Sequence, residues 1–296
     1  MSASPTALTE SALVTRLRAA GCVFAEDEAR LLLAAAETPA ALAEMVDRRV
    51  LGLPLEHILG WVEFYGLRVE VDQGVFVPRR RSEFLVQEAA ALAEPGAVVL
   101  DLCCGSGALG VALASVVPGI ELHAADIEPA AVLCARRNVE GLGARLGRAE
   151  HVGQAGHAGH AGHVGHAGQA GQAGHAGHVY QGDLYAPLPA ILRARVDILM
   201  ANTPYVPTDA IGLMPPEARF HEPHVTLDGG ADGLDVQRRV AAAATEWLAP
   251  GGHLLVETGE SQAATTAAFF ASNGLDVRIA TSEEFYATVV IGTRPV

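Results

Sequence analysis

The chain has 296 residues, half of them apolar, which is enough for one large domain beside a small one. Its formal net charge of −14 disfavours a general binder of phosphate backbones, because that affinity comes from clustered cations, and so points to a protein or small-molecule substrate. All 20 cationic side chains are arginine, which we read as coding bias. Cys22, Cys103, Cys104 and Cys134 contain no CxxC spacing, so neither a disulfide framework nor a zinc site is expected. The opening MSASPTALTE lacks the pattern of a signal peptide, and no apolar run approaches the length of a membrane span. Together these features predict a cytoplasmic protein without membrane contact.

The first fifty residues carry helical signals. Leu13, Val14 and Leu17 recur at helix spacing before Gly21, and Leu31 to Ala36 follows acidic residues at Glu26 to Glu28. Thr38 can cap a helix whose first position is Pro39, with Leu42, Met45, Val46 and Arg49 on one face. A small helical domain over 1–53 is therefore expected. Residues 54–78 change to aromatics and short alternating runs such as Phe64-Tyr65-Gly66-Leu67-Arg68-Val69, a hairpin-like linker.

From Ala97 the order is strand, Gly-rich turn, helix, strand, the grammar of an open parallel α/β sheet. Strands are expected at Ala97 to Leu102, Glu121 to Ala125, Val179 to Gln181, Val196 to Ala201 and His253 to Glu257. Two more, Val277 to Ala280 and Thr288 to Ile291, lie too close in sequence for a parallel crossover and should pair antiparallel. Nine Gly-[His/Gln]-[Ala/Val] triplets interrupt the pattern between Gly153 and Val179. With no apolar face and abundant glycine, the segment 151–178 is expected to be a disordered surface insert, a tolerated repeat rather than a metal site.

Asp101-Leu102-Cys103-Cys104-Gly105-Ser106-Gly107 follows the first strand of this region and opens a helix, and Gly105, Gly107 and Gly110 satisfy GxGxxG. That spacing alone admits a dinucleotide. Asp126, ending the next strand, could accept ribose hydroxyls from either a dinucleotide or S-adenosylmethionine. The latter is favoured on three grounds. Asp101 would repel a pyrophosphate yet help organise a site for a cationic amino-acid end, Asp183 and Leu184 offer a polar and an apolar contact for an adenine, and the fourth strand runs into Asn202-Thr203-Pro204-Tyr205.

That last segment is a grip for a planar NH2 group. An amide nitrogen is a poor nucleophile, so it must be held with its lone pair turned toward the methyl donor. The Asn202 side-chain oxygen and the Thr203 carbonyl can each accept one N–H, Pro204 biases Thr203 to extended backbone, and Tyr205 can pack over the plane.

These residues resemble the protein-(glutamine-N5) methyltransferases that modify the Gly-Gly-Gln loop of peptide chain release factors. The likeness also includes Pro54 to Gly60, Glu63 to Gly66, Gly74 to Arg79 with Ser82-Glu83, Leu227 to Leu234, and Pro250-Gly251-Gly252 through Glu257. It implies a Rossmann-like class I methyltransferase with a seven-stranded, mostly parallel sheet over 79–296, S-adenosylmethionine as cofactor, and a helical amino-terminal domain that docks a release factor. It further implies cofactor contacts from Asp101, Leu102, Cys103, Cys104, Gly105, Gly107, Asp126, Asp183, Leu184 and Asn202, and a substrate side containing Phe76, Pro78 and Arg79. Four positions depart from the family pattern: Thr203 replaces a proline, Cys103 a glycine, and Arg80-Arg81 a proline and a carboxylate. The two added arginines read either as a solvated edge or as a contact for an acidic partner. An adenine-N6 methyltransferase, which grips a similar amino group, and an inactive cofactor-binding regulator are the alternatives; the sequence does not set the oligomeric state.

Overall fold

A computed structural model of the protein describes residues 9–142 and 177–296. Three amino-terminal helices, α1 (Glu10–Ala19), α2 (Ala25–Ala35) and α3 (Pro39–Val50), bury Leu13, Leu17, Ala29, Leu32, Leu42 and Val46 in a core of their own. Thr38 caps α3 as expected, its hydroxyl accepting the Ala41 amide at 3.1 Å with Pro39 in the first turn. The linker is more than a hairpin. Leu55, Ile58 and Leu59 share a helical face, so 55–59 folds as a short helix, α4 (Leu55–Leu59), packed on the helical core. The hairpin itself pairs β1 (Trp61–Phe64) with β2 (Leu67–Glu70) around Tyr65 and Gly66, both at positive φ, which is the geometry that a two-residue turn requires.

The larger unit is a seven-stranded sheet in the order β5-β4-β3-β6-β7-β9-β8, where β3 is Val98–Leu102, β4 Glu121–Asp126, β5 Gly177–Gln181, β6 Val196–Ala201, β7 Leu248–Thr258, β8 Asp276–Ser282 and β9 Ala287–Thr293. All neighbours are parallel except β7–β9 and β8–β9, which are antiparallel. Strands buried on both faces alternate between two cores. Val99, Ile198, Met200, Leu255 and Val289 pack toward α5 (Glu83–Leu92) and α6 (Ala108–Val116), while Leu100, Leu102, Leu199, Leu254 and Val290 pack toward α9 (Asp235–Trp247) and α10 (Ala263–Ser272). Two further helices, α7 (Pro129–Glu140) and α8 (Pro216–His221), follow β4 and precede α9 respectively.

The sheet runs beyond several expected boundaries, and the reason is pairing. Leu248 pairs with Val196, which starts β7 five residues before His253, with a register shift before Ile198 pairs His253. At the other edge, Gly177 and His178 of the repeat belong to β5 and not to a disordered segment. They pair with Leu122 and His123, the His178 and His123 rings stack at 5.2 Å, and a Cβ at 177 would lie 2.1 Å from Val139. The rest of the expected insert, 151–176, lies outside the described residues. Among the described residues, no helix is long and apolar enough to cross a membrane.

Candidate active site

The strand order reverses between β3 and β6, and a crevice opens at the carboxyl ends of those strands, where open α/β sheets bind ligands. The cavity has a volume of about 460 Å³. Its wall contains Cys103, Cys104, Gly105, Asp126, Asp183, Leu184, the whole Asn202-Thr203-Pro204-Tyr205 loop, Phe76, Pro78 and Arg79. Sequence-distant candidates thus converge on one space. Asp101, Leu102 and Gly107 do not line it: Asp101 and Leu102 are fully buried within β3, and Gly107 precedes α6, packed against Ala135.

The glycine loop is held from behind by carboxylates. Gly110 N–H donates to Asp101 Oδ2 at 3.0 Å, whereas Asp101 Oδ1 is buried without a partner. Burial drives the Asp101 pKa up to about 7, opposed by the Gly110 bond and reinforced by the negative charge of Asp126. Asp126 accepts the Gly105 N–H at 2.8 Å on one oxygen and the Glu128 N–H at 2.9 Å on the other, and burial raises its pKa as well. Cys103 holds φ at +55°, which explains why a glycine is usual there; a non-glycine residue in this region carries a cost of about 1–2 kcal/mol. Burial pushes the thiols of Cys103 and Cys104 above their ordinary range, so both stay protonated.

At the other wall, the Asn202 side-chain N–H2 donates to Ser82 Oγ at 3.1 Å, which commits the amide nitrogen and leaves its oxygen as an acceptor. Thr203 is buried, and its hydroxyl has no partner. A second loop, 227–234, buttresses this one. Val206 N–H donates to the Leu227 carbonyl, Gly229 N–H to the Val206 carbonyl, and the Gln262 side chain bridges the Tyr205 and Asp232 carbonyls at 3.1 and 2.9 Å. Gly233 has φ +79°, and a Cβ there would stand 2.2 Å from the Tyr205 oxygen.

Four lining residues lie outside the site expected from sequence. Arg81, Ser82, Glu222 and Arg239 all border the cavity. Ser82 and Arg81 belong to or adjoin the family-like segment, but Glu222 lies in an aperiodic segment and Arg239 on an amphipathic helix, with no local signal. Each arginine of the wall is already paired: Arg79 with Glu222, Arg81 with Glu257 at 2.7 Å, and Arg239 with Asp183 at 2.6 Å. Arg80 lies over the Phe285 ring at 6.0 Å. Arg79 and Arg81 of the run are thus paired within the chain, while Arg80 remains exposed. The Asp183 carboxylate, expected to meet an adenine, is shared with Arg239.

Residues 66–157 match the family model for the methyltransferase small domain. Over 238 residues, 80% of this chain and 72% of the relative, the sequence is 36% identical to the release factor glutamine methyltransferase of Geobacter sulfurreducens. It is 33% identical over 270 residues, 88% of this chain and 80% of the relative, to the 4-amino-L-phenylalanine/4-methylamino-L-phenylalanine methyltransferase of Streptomyces pristinaespiralis. Among solved structures, a methyltransferase from Pyrococcus furiosus shares the fold, with a TM-score of 0.51 at 14% identity, covering 78% of this chain and 91% of that one.

Proposed function

The chain belongs to the release factor glutamine methyltransferase family, and from that premise we propose that it methylates the side-chain amide nitrogen of a glutamine in the Gly-Gly-Gln loop of a peptide chain release factor, with S-adenosylmethionine as donor. The observation that supports this reading is the hydrogen bond from the Asn202 side-chain nitrogen to Ser82, which anchors a cavity-wall amide and leaves its oxygen free to accept.

The chemistry of the cavity suits that donor. Among the described residues every arginine of the wall is paired to a carboxylate, so none is left free for a pyrophosphate, which suits a ligand without phosphate. Asp126 would hold ribose hydroxyls, the Cys104-Gly105 turn the amino-acid end, and Asp183 with Leu184 the adenine. Once bound, the cofactor supplies an electrophilic methyl group on a positively charged sulfur.

The protein's part is to orient the acceptor. Asn202 Oδ1 and the Thr203 carbonyl each take one N–H of the target amide, which turns the nitrogen lone pair toward the methyl group and stabilises the positive charge that grows on nitrogen. Tyr205 packs over the amide plane. No strong base is needed, since the alkylated nitrogen is acidic enough to release its proton late. The helical unit over 1–53 serves to dock the protein substrate.

With labelled cofactor and purified release factor, the wild type should place label on glutamine, and Asn202→Ala should lower kcat/KM by about 10²- to 10³-fold, the loss typical of removing one preorganised charge-stabilising group. Undiminished labelling by the variant would overturn the grip. A second reading, an arylamine acceptor, rests on the Streptomyces relative; label on 4-aminophenylalanine and none on the release factor would establish it. Adenine is a weaker acceptor candidate, given the −14 charge and the paired arginines.

A further inference from the structure

Residues 79–83 are consecutive, yet each reaches a different part of the fold. Arg79 pairs with Glu222, Arg80 faces Phe285, Arg81 pairs with Glu257, Ser82 accepts from Asn202, and Glu83 accepts the Tyr65 amide of the hairpin turn at 3.0 Å. Two of these contacts converge on the loop that grips the acceptor. The Arg81 guanidinium lies 5.0 Å from the centre of the Tyr205 ring while its Nε is held by the buried Glu257, and the next residue, Ser82, is itself buried against Asn202.

We propose that Ser82 and Arg81 are positioning residues for methyl transfer, Ser82 anchoring the Asn202 amide at the cavity wall and Arg81 setting the tilt of Tyr205. This rests on the reading of Asn202 as an acceptor for a planar NH2 group. The two ends of a primary amide are nearly the same in shape but opposite in hydrogen bonding. Flipped by 180°, Asn202 would present N–H donors to a substrate that itself offers N–H donors, and the grip would become a repulsion. A hydroxyl can donate as well as accept, so Ser82 fixes where the Asn202 amide sits; in the orientation the structure holds, the nitrogen is on the Ser82 side and the oxygen is left for the substrate. Arg81 acts in the same way on the second element of the grip. Its planar guanidinium matches the ring face, and Glu257, anchored in β7, keeps it from swinging away.

The test compares kcat, KM and cofactor Kd, the last by calorimetry, for the wild type, Ser82→Ala, Ser82→Thr, Arg81→Ala, Glu257→Gln and the Arg81→Ala/Glu257→Gln pair. Release factor and 4-aminophenylalanine serve as alternative acceptors. Ser82→Ala should lower kcat about tenfold, the scale of one oriented hydrogen bond, with cofactor Kd within about twofold of wild type. Ser82→Thr, which restores the hydroxyl, should recover the rate, and Arg81→Ala should lower kcat with no further loss on adding Glu257→Gln. Ser82→Thr as impaired as Ser82→Ala, losses confined to cofactor Kd, or Arg81→Ala at the wild-type rate would each overturn the proposal. Thermal melts identify any variant that merely unfolds, in which case Ser82→Thr against wild type and the Arg81 pair decide. Wild-type labelling of the arylamine alone would overturn the glutamine assignment, while the same comparisons on that acceptor still judge Ser82 and Arg81.

Discussion

The Asp101 carboxyl group is fully buried, with one oxygen bound to the Gly110 amide and the other unpartnered. With its pKa raised from 3.8 to about 7, the folded protein holds a proton that the unfolded chain releases. Its contribution to stability is thus complete at acid pH and is lost as pH rises from about 4 to about 7, after which it no longer changes. Asp101→Asn cannot ionise, so melting temperature measured against pH in the cofactor-free protein should rise relative to wild type across that window and level off above pH 7. A flat difference across the window would rule out the buried, protonated carboxyl. His57 opposes this trend: burial lowers its pKa, its Nε2 donates to the Val75 carbonyl at 2.8 Å, and protonation below about pH 6.5 would charge a ring whose Nδ1 has no partner. For that reason the comparison is made between two proteins that share His57, in which its effect cancels.

At the scale of elements, the loop 202–205 gets its shape from the loop 227–234. A Cβ on Gly233 would enter the space of the Tyr205 carbonyl, so Gly233→Ala should displace the grip while leaving the glycine-rich turn intact. A displacement of about 1 Å at a reacting group can cost about 100-fold, so kcat should fall on that scale with cofactor affinity retained. Parallel loss of affinity would show that the buttress serves the whole cavity. Such dependence explains what was legible in sequence. Asn202 to Tyr205 and the Asp101 to Gly107 turn each sit at a strand end with their own local chemistry, and so could be read directly. The Leu227 to Leu234 stretch stood out only through its likeness to a family; its purpose, holding a carbonyl 28 residues away from Gly233, appears only when the loops meet. The helix α5, which carries no cap bond from Ser82 and opens directly from a 3-10 turn, escaped notice for a related reason: Ser82 spends its hydroxyl on Asn202 and gives no local start signal. Gly177 and His178 were misread because a repeat without amphipathic period is still recruited by an available strand edge.

Across the whole molecule, a buried guanidinium bridges the helical unit and the sheet domain. Arg49 of α3 is buried, its Nε and Nη2 donating to the two oxygens of Glu28 of α2 at 2.5 and 3.0 Å, and its Nη1 to Glu217 of α8 and the Leu53 carbonyl. The same short segment of chain supplies Glu222, which pairs with Arg79 at the cavity wall. Arg49→Ala would leave Glu28 buried and unpaired, a change that costs about 3–5 kcal/mol in comparable sites. Chemical denaturation should show that loss, with hydrogen exchange rising first in α1 to α3; a loss below about 1 kcal/mol would make the pair incidental. The helical spacing puts Arg49, unlike Arg48, on the apolar face with Leu42 and Val46, but its partners Glu28 and Glu217 carry no sequence signal, which is why the joint appears only in three dimensions.

The contacts of residues 79–83 also set an order of events in folding. Ser82, Arg79 and Arg81 close loops of 120, 143 and 176 residues to Asn202, Glu222 and Glu257. Closure entropy grows only slowly with length, by about 0.6 kcal/mol per doubling, but none of these single bonds could hold such a loop shut unaided. They can form only after β3, β6 and β7 have paired and brought the partners near. On a growing chain, Arg81 leaves the ribosome long before Glu257 has been made, so these contacts are among the last to be completed, and a chain that ends before β7 lacks the partner that holds Arg81 against Tyr205.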